Sequence, residues 1–365
     1  MKIAFDHQIF ALQSVGGISR YFVRLAESLL SMDKEVRVVA PFHCNSFLDG
    51  LPKINVKGRQ IRKLPDLTLR LGNAANRCLA KQELNRFMPD ILHETYYGKK
   101  AVTYRRAKRV LTVYDMIHER FPGSFSRLDK TSLYKRAAVD RADHIISISH
   151  STKNDLCEIF DVEPEKVSVV HLGFEKFCNS ERQETSKTEK KPFLLYVGER
   201  KGYKNFEGML RAVACRKDLF EELDIIAFGG GKFSAAEKAL IKSLGFQEQA
   251  VSQIGGSDKI LGKLYCEALA LVYPSHYEGF GLPPLEAMAH GCPVIASNTS
   301  SMPEVIGKAG EFFSPHDIED QAQAIYNVVF DGARQKTLIL EGAERLNHFS
   351  WDNCAANTLN AYMRA

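Results

Sequence analysis

Short apolar runs alternate along this chain with longer stretches in which apolar positions recur at helical spacing. The runs at residues 2–5, 36–40, 91–93, 110–113, 145–148 and 167–170 read as strands, and so do those at 193–197, 223–228, 251–254, 269–273 and 294–296. Strand–helix alternation argues for parallel sheets covered on both faces, and here it occurs in two sets. Between the sets, residues 175–191 are rich in Ser, Thr, Glu and Lys and poor in apolar groups, which predicts an interdomain linker. The expected fold class is therefore α/β, with two Rossmann-like, doubly wound domains over 1–174 and 192–348. Open parallel sheets bind ligands at the carboxyl ends of their strands, so two such domains are expected to share a cleft.

The length agrees, since 365 residues exceed what one hydrophobic core usually organises. With 45% apolar and 25% charged residues the composition is that of an ordinary globular protein. No apolar stretch reaches the roughly eighteen residues that a membrane-spanning helix needs. The N-terminus enters a strand at once, without the apolar region of a signal peptide, so a cytoplasmic location is expected. The eight cysteines are too widely spaced for a metal knuckle or a small disulfide framework, which leaves reduced thiols. A net charge of +5 is too mild to imply nucleic acid, but it is unevenly spread. Lys53, Lys57, Arg59, Arg62, Lys63, Arg70, Arg77, Lys81 and Arg86 face only Asp66 and Glu83 over one stretch. Such a stretch is either a solvated face or a patch for peripheral contact with an anionic membrane.

The most informative chemistry lies in the run SHYEGFGLPPLEAMAHGCPVIAS at 275–297, where Glu278 and Glu286 stand with seven residues between them. The pattern predicts a strand, a Gly-rich turn over 278–282 and a helix starting at Pro283 or Pro284, where a missing N–H costs nothing. Backbone N–H groups and the positive end of the helix dipole favour an anion there, while Gly279 and Gly281 permit close approach. Carboxylates repel phosphate, so two of them beside an anion site make sense as acceptors for hydroxyls on either side of it. A nucleoside diphosphate sugar has that form: hexose hydroxyls, diphosphate, ribose diol.

This run resembles the signature of the family 4 retaining glycosyltransferases. The resemblance extends over nearly the whole chain and implies the two-domain GT-B architecture, with residues 349–365 as a terminal helix crossing back to the first domain. It implies that Glu278 holds donor-sugar hydroxyls, that the amides of Phe280, Gly281 and Leu282 hold sugar and phosphate oxygens, and that Glu286 holds the ribose. In the loop after residue 197, Gly198 is followed by Arg200 and by Lys204, which match the family's phosphate-clamping pair; Lys201 is an alternative to Arg200. Gly16 and Gly17 look like the family's Gly-Gly loop beside donor phosphates and acceptor. Ile254, with Leu261, matches the place that receives the base. Gly229, Gly230 and Gly231 form either a close-approach turn near the nucleotide or a simple turn. Many relatives carry a His where this chain has Tyr114, which leaves Tyr114, Asp115 and His118 as candidates for sugar or acceptor contact. His93, at a strand end, is a further acceptor-side candidate.

The implied reaction is transfer of a hexose from a nucleoside diphosphate sugar to an acceptor hydroxyl, with retention at the anomeric carbon. Glu278, Arg200, Lys204 and Asp115 are its expected catalytic residues. No cofactor is expected, and no metal, because the sequence lacks an Asp-x-Asp pair and any His/Cys/Asp cluster at ligand spacing. The first half resembles bacterial surface-polysaccharide enzymes, several of them mannosyltransferases. That resemblance implies GDP-mannose first and a UDP-hexose second, with a lipid-linked glycan as acceptor. A sugar-nucleotide epimerase, a phosphorylase and a non-catalytic nucleotide-sugar binder are the rivals. The Arg200/Lys204 loop and Glu286 disfavour the first two, and intact Glu278, Lys204 and Glu286 disfavour the third.

Overall fold

Strands buried on both faces read as continuous apolar runs, which is what a parallel sheet covered by helices requires. In the computed structural model Ile91–Glu94 and Val294–Ser297 are buried at every position. The structure describes residues 1–61, 66–176, 191–200 and 202–365, with side chains excepted at 66–71. Arg62, Lys63, Lys201, linker residues 177–190 and the side chain of Arg70 lie outside the described residues.

The chain falls into two units. Unit 1 comprises Met1–Arg120, Phe125–Gly173 and Ser350–Ala365; unit 2 comprises Phe121–Ser124 and Phe174–Phe349. In unit 1 the described residues form β1 (Lys2–Phe5), β2 (Glu35–His43), β3 (Val56–Gln60), β4 (Ile91–Glu94), β5 (Lys108–Val113), β6 (His144–Ser147) and β7 (Val167–Val169). Their order is β3-β2-β1-β4-β5-β6-β7, with every pair parallel. In unit 2 they form β8 (Phe193–Val197), β9 (Asp224–Phe228), β10 (Val251–Ile254), β11 (Ala270–Tyr273), β12 (Val294–Ser297) and β13 (Gly310–Phe313). Here the order is β10-β9-β8-β11-β12-β13, again parallel throughout.

Two strands, β3 and β13, were not expected from the sequence. Both are edge strands. An edge strand is covered less, so Val-Lys-Gly-Arg-Gln carries no buried position and lacks the apolar run by which a central strand is recognised.

Each order reverses once. Chain connections run outward from β1 and again from β4 in unit 1, and from β8 and β11 in unit 2. Beyond the carboxyl ends of such a strand pair the loops diverge and leave a crevice. In unit 1, helix Trp351–Tyr362 packs on helix Gly17–Ser31. The only Trp sits against Gly173, where an added Cβ would fall 2.4 Å from the indole, so glycine is required by close approach. Among the described residues no helix is long and apolar enough to cross a membrane.

Candidate functional site

In unit 2 the switch lies between β8 and β11, and the loops after these two strands carry Lys204 and Glu278. The structure joins them directly. Lys204 Nζ donates to Glu278 Oε1 at 2.6 Å, and Ser275 Oγ donates to the same oxygen at 2.6 Å. Both charged side chains are largely buried, at 16% and 8% exposure. Lys204 Nζ also stands 5.4 Å and 5.8 Å from the ring centres of Tyr203 and Tyr273. Burial, and next the charge of Glu278, hold the Tyr273 hydroxyl well above its usual pKa, so it remains a donor.

The turn between Glu278 and the helix is fixed by the segment after β12. Ser301 Oγ donates to the carbonyls of Glu278 and Phe280 at 2.9 Å each, and Ser300 Oγ accepts from the Glu278 N–H at 2.9 Å. Gly281 has φ 105°, a left-handed conformation that a side chain would strain. It caps helix Leu282–Ala289 without a side-chain hydrogen bond. The helix thus starts one residue earlier than expected. Since Pro283 and Pro284 have no N–H, the anion donors at this start are confined to Leu282 and the loop amides before it. Gly279 and Phe280 are buried in that turn. Glu286 follows in the helix, half-buried, and accepts from the buried Tyr265 hydroxyl at 2.9 Å.

Arg200 is placed otherwise than the sequence implies. Its guanidinium donates to Glu237 Oε1, to Gly229 O at 3.0 Å and to Gly231 O at 2.9 Å, and stacks 4.8 Å from the Phe233 ring centre. At 4% exposure it is committed to the turn. This corrects the expectation of a group open to phosphate. Gly229, Gly230 and Gly231 all have positive φ, so their carbonyls turn toward one point, and Arg200 fills it. Gly198 (φ 130°) donates to Phe228 O, and Gly229 donates to Ile254 O at 2.9 Å, so the ends of β8, β9 and β10 are laced together. Leu261 is buried nearby in sequence, on helix Asp258–Glu267.

In unit 1, Gly16 caps helix Gly17–Ser31 without a side chain, and Gln13 Oε1 accepts from Ser19 N–H at 3.3 Å. An added Cβ at Gly17 would meet nothing within 4 Å. Asp115 follows β5 with a side chain 30% exposed, and its Oδ1 accepts the Ile117 N–H at 3.1 Å. His118 stacks on Phe125 at 3.8 Å, with Nε2 3.7 Å from Asp129. Tyr114 is 7% exposed, and its hydroxyl donates to Thr95 O at 3.3 Å, so it is a packed residue beside Asp115.

His93 is not an acceptor-side group. It is fully buried, its ring nitrogens pair with Tyr362 OH at 2.7 Å and Thr112 Oγ1 at 2.8 Å, and burial lowers its pKa to about 3. It anchors the C-terminal helix to the sheet. Residues that the sequence did not single out are Ser275, Tyr265, Tyr273, Glu237, Lys135 and Glu119. Only Ser275, which opens the motif run, carried a signal. Among the described residues no group of three or more His, Cys, Asp or Glu side chains stands close enough to hold a metal ion.

A Glycosyltransferase Family 4 model matches residues 15–175, and a Glycosyl transferases group 1 model matches residues 179–345. The chain is similar to O-antigen chain mannosyltransferase B of Escherichia coli, at 28% identity over 95% of each chain. It is also similar to O-antigen chain mannosyltransferase RfbU of Salmonella typhimurium, at 28% identity over 60% of each. In fold it resembles sucrose-phosphate synthase of Thermosynechococcus elongatus, with a TM-score of 0.76 at 20% identity over all of this chain and 98% of the other. One model falls on each parallel-sheet unit and together they leave only the ends and a short linker piece unmatched, so the chain belongs to glycosyltransferase family 4 and is an enzyme of sugar transfer with two GT-B-type domains.

Proposed function

We propose that this enzyme transfers a mannosyl group from GDP-mannose to a hydroxyl of a lipid-linked glycan in surface-polysaccharide synthesis, with retention at the anomeric carbon. The observation that carries the donor half is the Lys204–Glu278 pair, standing at the strand switch of unit 2 beside the Leu282 helix start. The mannosyl group and the polysaccharide acceptor rest on the two O-antigen mannosyltransferases that the chain resembles.

Cleavage of the glycosidic bond builds positive charge on the sugar and negative charge on the departing diphosphate. Lys204 and the amides of Gly281 and Leu282 are pre-placed for that growing negative charge, which is where electrostatic catalysis gains most. The donor's hydroxyls take Glu278 as acceptor while the diphosphate takes the ammonium, so donor binding replaces one internal pair by two charge-assisted contacts. Glu286, oriented by Tyr265, accepts from the ribose diol. The acceptor attacks on the face that the diphosphate leaves; Glu278 positions the sugar and forms no bond to it. Arg200 acts through the glycine turn that it holds. On the acceptor side Asp115 offers a half-buried carboxylate just after β5. No metal is required, since the side chains and amides named supply the counter-charge. Because the acceptor is carried by lipid, the enzyme works from the cytoplasm, in peripheral contact with the inner face of the membrane.

Isothermal titration with GDP, UDP, ADP and dTDP tests this assignment of roles. GDP is expected to bind tightest, Glu286→Ala to weaken it, and Glu278→Gln to leave it nearly intact while reducing turnover. Equal loss of nucleotide affinity in both variants would refute the division between sugar and ribose carboxylates, and preference for UDP would replace the donor.

A further inference from the structure

Lys135, in helix Thr131–Arg141, is among the largest fully buried side chains of the molecule. A buried ammonium is costly unless it is paired and hydrogen-bonded. This one reaches across to the segment after β5. Its Nζ donates to Asp115 O at 2.8 Å and to Glu119 Oε2 at 2.7 Å, stands 3.7 Å from Asp115 Oδ1, and lies 5.4 Å from the Tyr97 ring centre. One cation thus holds both the backbone and the carboxylate of this half-buried residue after β5. Glu119 is 4% exposed, and its Oε1 has no hydrogen-bond partner among the described residues. Two carboxylates around one ammonium leave a local charge of about −1, and Asp115, at 30% exposure, is the member solvent can reach. A tie between helix and loop alone would be met by an apolar contact, without an internal cation.

We propose that Lys135 is a positioning residue for sugar transfer: it fixes Asp115 so that the carboxylate faces the acceptor, with Glu119 as its buried counter-ion. The inference rests on Asp115 acting on the acceptor side. Lys135 touches no substrate, and its effect passes through Asp115.

The test removes the buried charges together, so that neither is stranded. In the full-length chain Lys135→Met/Glu119→Gln keeps the volume of both side chains. It is expected to melt close to wild type, bind GDP with wild-type affinity by titration calorimetry, and transfer about 10²-fold more slowly, as a displacement of about 1 Å at a reacting group can cause. Adding Asp115→Ala should slow it further by no more than about 2-fold, because residues acting through one contact are not additive. Wild-type turnover in the double variant, or multiplicative loss on adding Asp115→Ala, overturns the proposal. Glu119→Gln alone retains the Lys135–Asp115 contact and should keep its rate within about 3-fold; a 10²-fold loss there would equally overturn it. Asp115→Ala at wild-type rate would instead sink the assignment of Asp115 itself.

Discussion

Lys204→Met isolates the buried pair at the strand switch. The substitution keeps the length of the side chain and removes its charge, leaving Glu278, 6% exposed, with the Ser275 hydroxyl at 2.6 Å. Breaking a buried ion pair by removing one partner costs about 3–5 kcal/mol. The retained serine bond and the residual exposure of Lys204 put this case near the low end, about 3 kcal/mol. For a domain the size of unit 2 each kcal/mol moves the melting temperature by about 2–4 °C, so a drop of about 6–12 °C is expected. Lys204→Met/Glu278→Gln strands no charge and should recover most of it, to within about 3 °C of wild type. Its turnover should stay about 10²-fold down, since the charge that meets the leaving diphosphate is still missing. Differential scanning calorimetry beside a transfer assay reads both quantities. A single variant that melts within about 1 °C of wild type, or a double variant as destabilised as the single, would refute the pair as drawn.

Activity is expected to survive excess EDTA, because Lys204 and backbone amides carry the leaving charge; complete loss restored by Mg²⁺ would contradict this. His93, with its pKa lowered by burial to about 3, stays neutral in the folded chain while the unfolded chain protonates near 6.5. Between these values the unfolded state binds the extra proton, so the His93 contribution to stability is full above about pH 6.5 and is lost progressively as pH falls toward 3. Its imidazole resonances should show no titration from pH 8 to pH 5 in NMR spectra, and a midpoint near 6.5 would contradict the burial account. Vesicles containing phosphatidylglycerol should sediment the protein at low salt and release it at high salt, since each Lys or Arg at an anionic surface contributes on the order of 1 kcal/mol. Changing Arg59, Arg62, Lys63 and Arg70 to Gln should weaken that binding, and an unchanged pellet would return the stretch to a solvated face.

Central strands were legible because burial on both faces writes an uninterrupted apolar run, as at Ala270–Tyr273. Edge strands β3 and β13 were not, since half-covered positions tolerate Lys, Arg, Gln and Glu. Lys204 and Glu278 were each legible as candidates, but their pairing was not. Nothing local in either loop shows that β8 and β11 are neighbours, and only the sheet order brings residues 74 positions apart to 2.6 Å. Arg200 was misjudged for a similar reason. A basic residue after a glycine turn reads as solvent-facing until Gly229–Gly231 is seen to present its carbonyls to it. Composition hid Lys135 altogether, because a lysine in a polar helix such as Thr131–Arg141 carries no sign of burial.

Transfer itself is the most direct readout. Purified enzyme, GDP-mannose and a lipid-linked glycan extracted from the membranes of a strain lacking this gene should yield free GDP and, by mass spectrometry, an acceptor heavier by one hexose. The new anomeric centre should keep the donor's configuration by NMR. Absence of glycan product with GDP-mannose and with each UDP-hexose, while the folded enzyme binds the nucleotides, would contradict it.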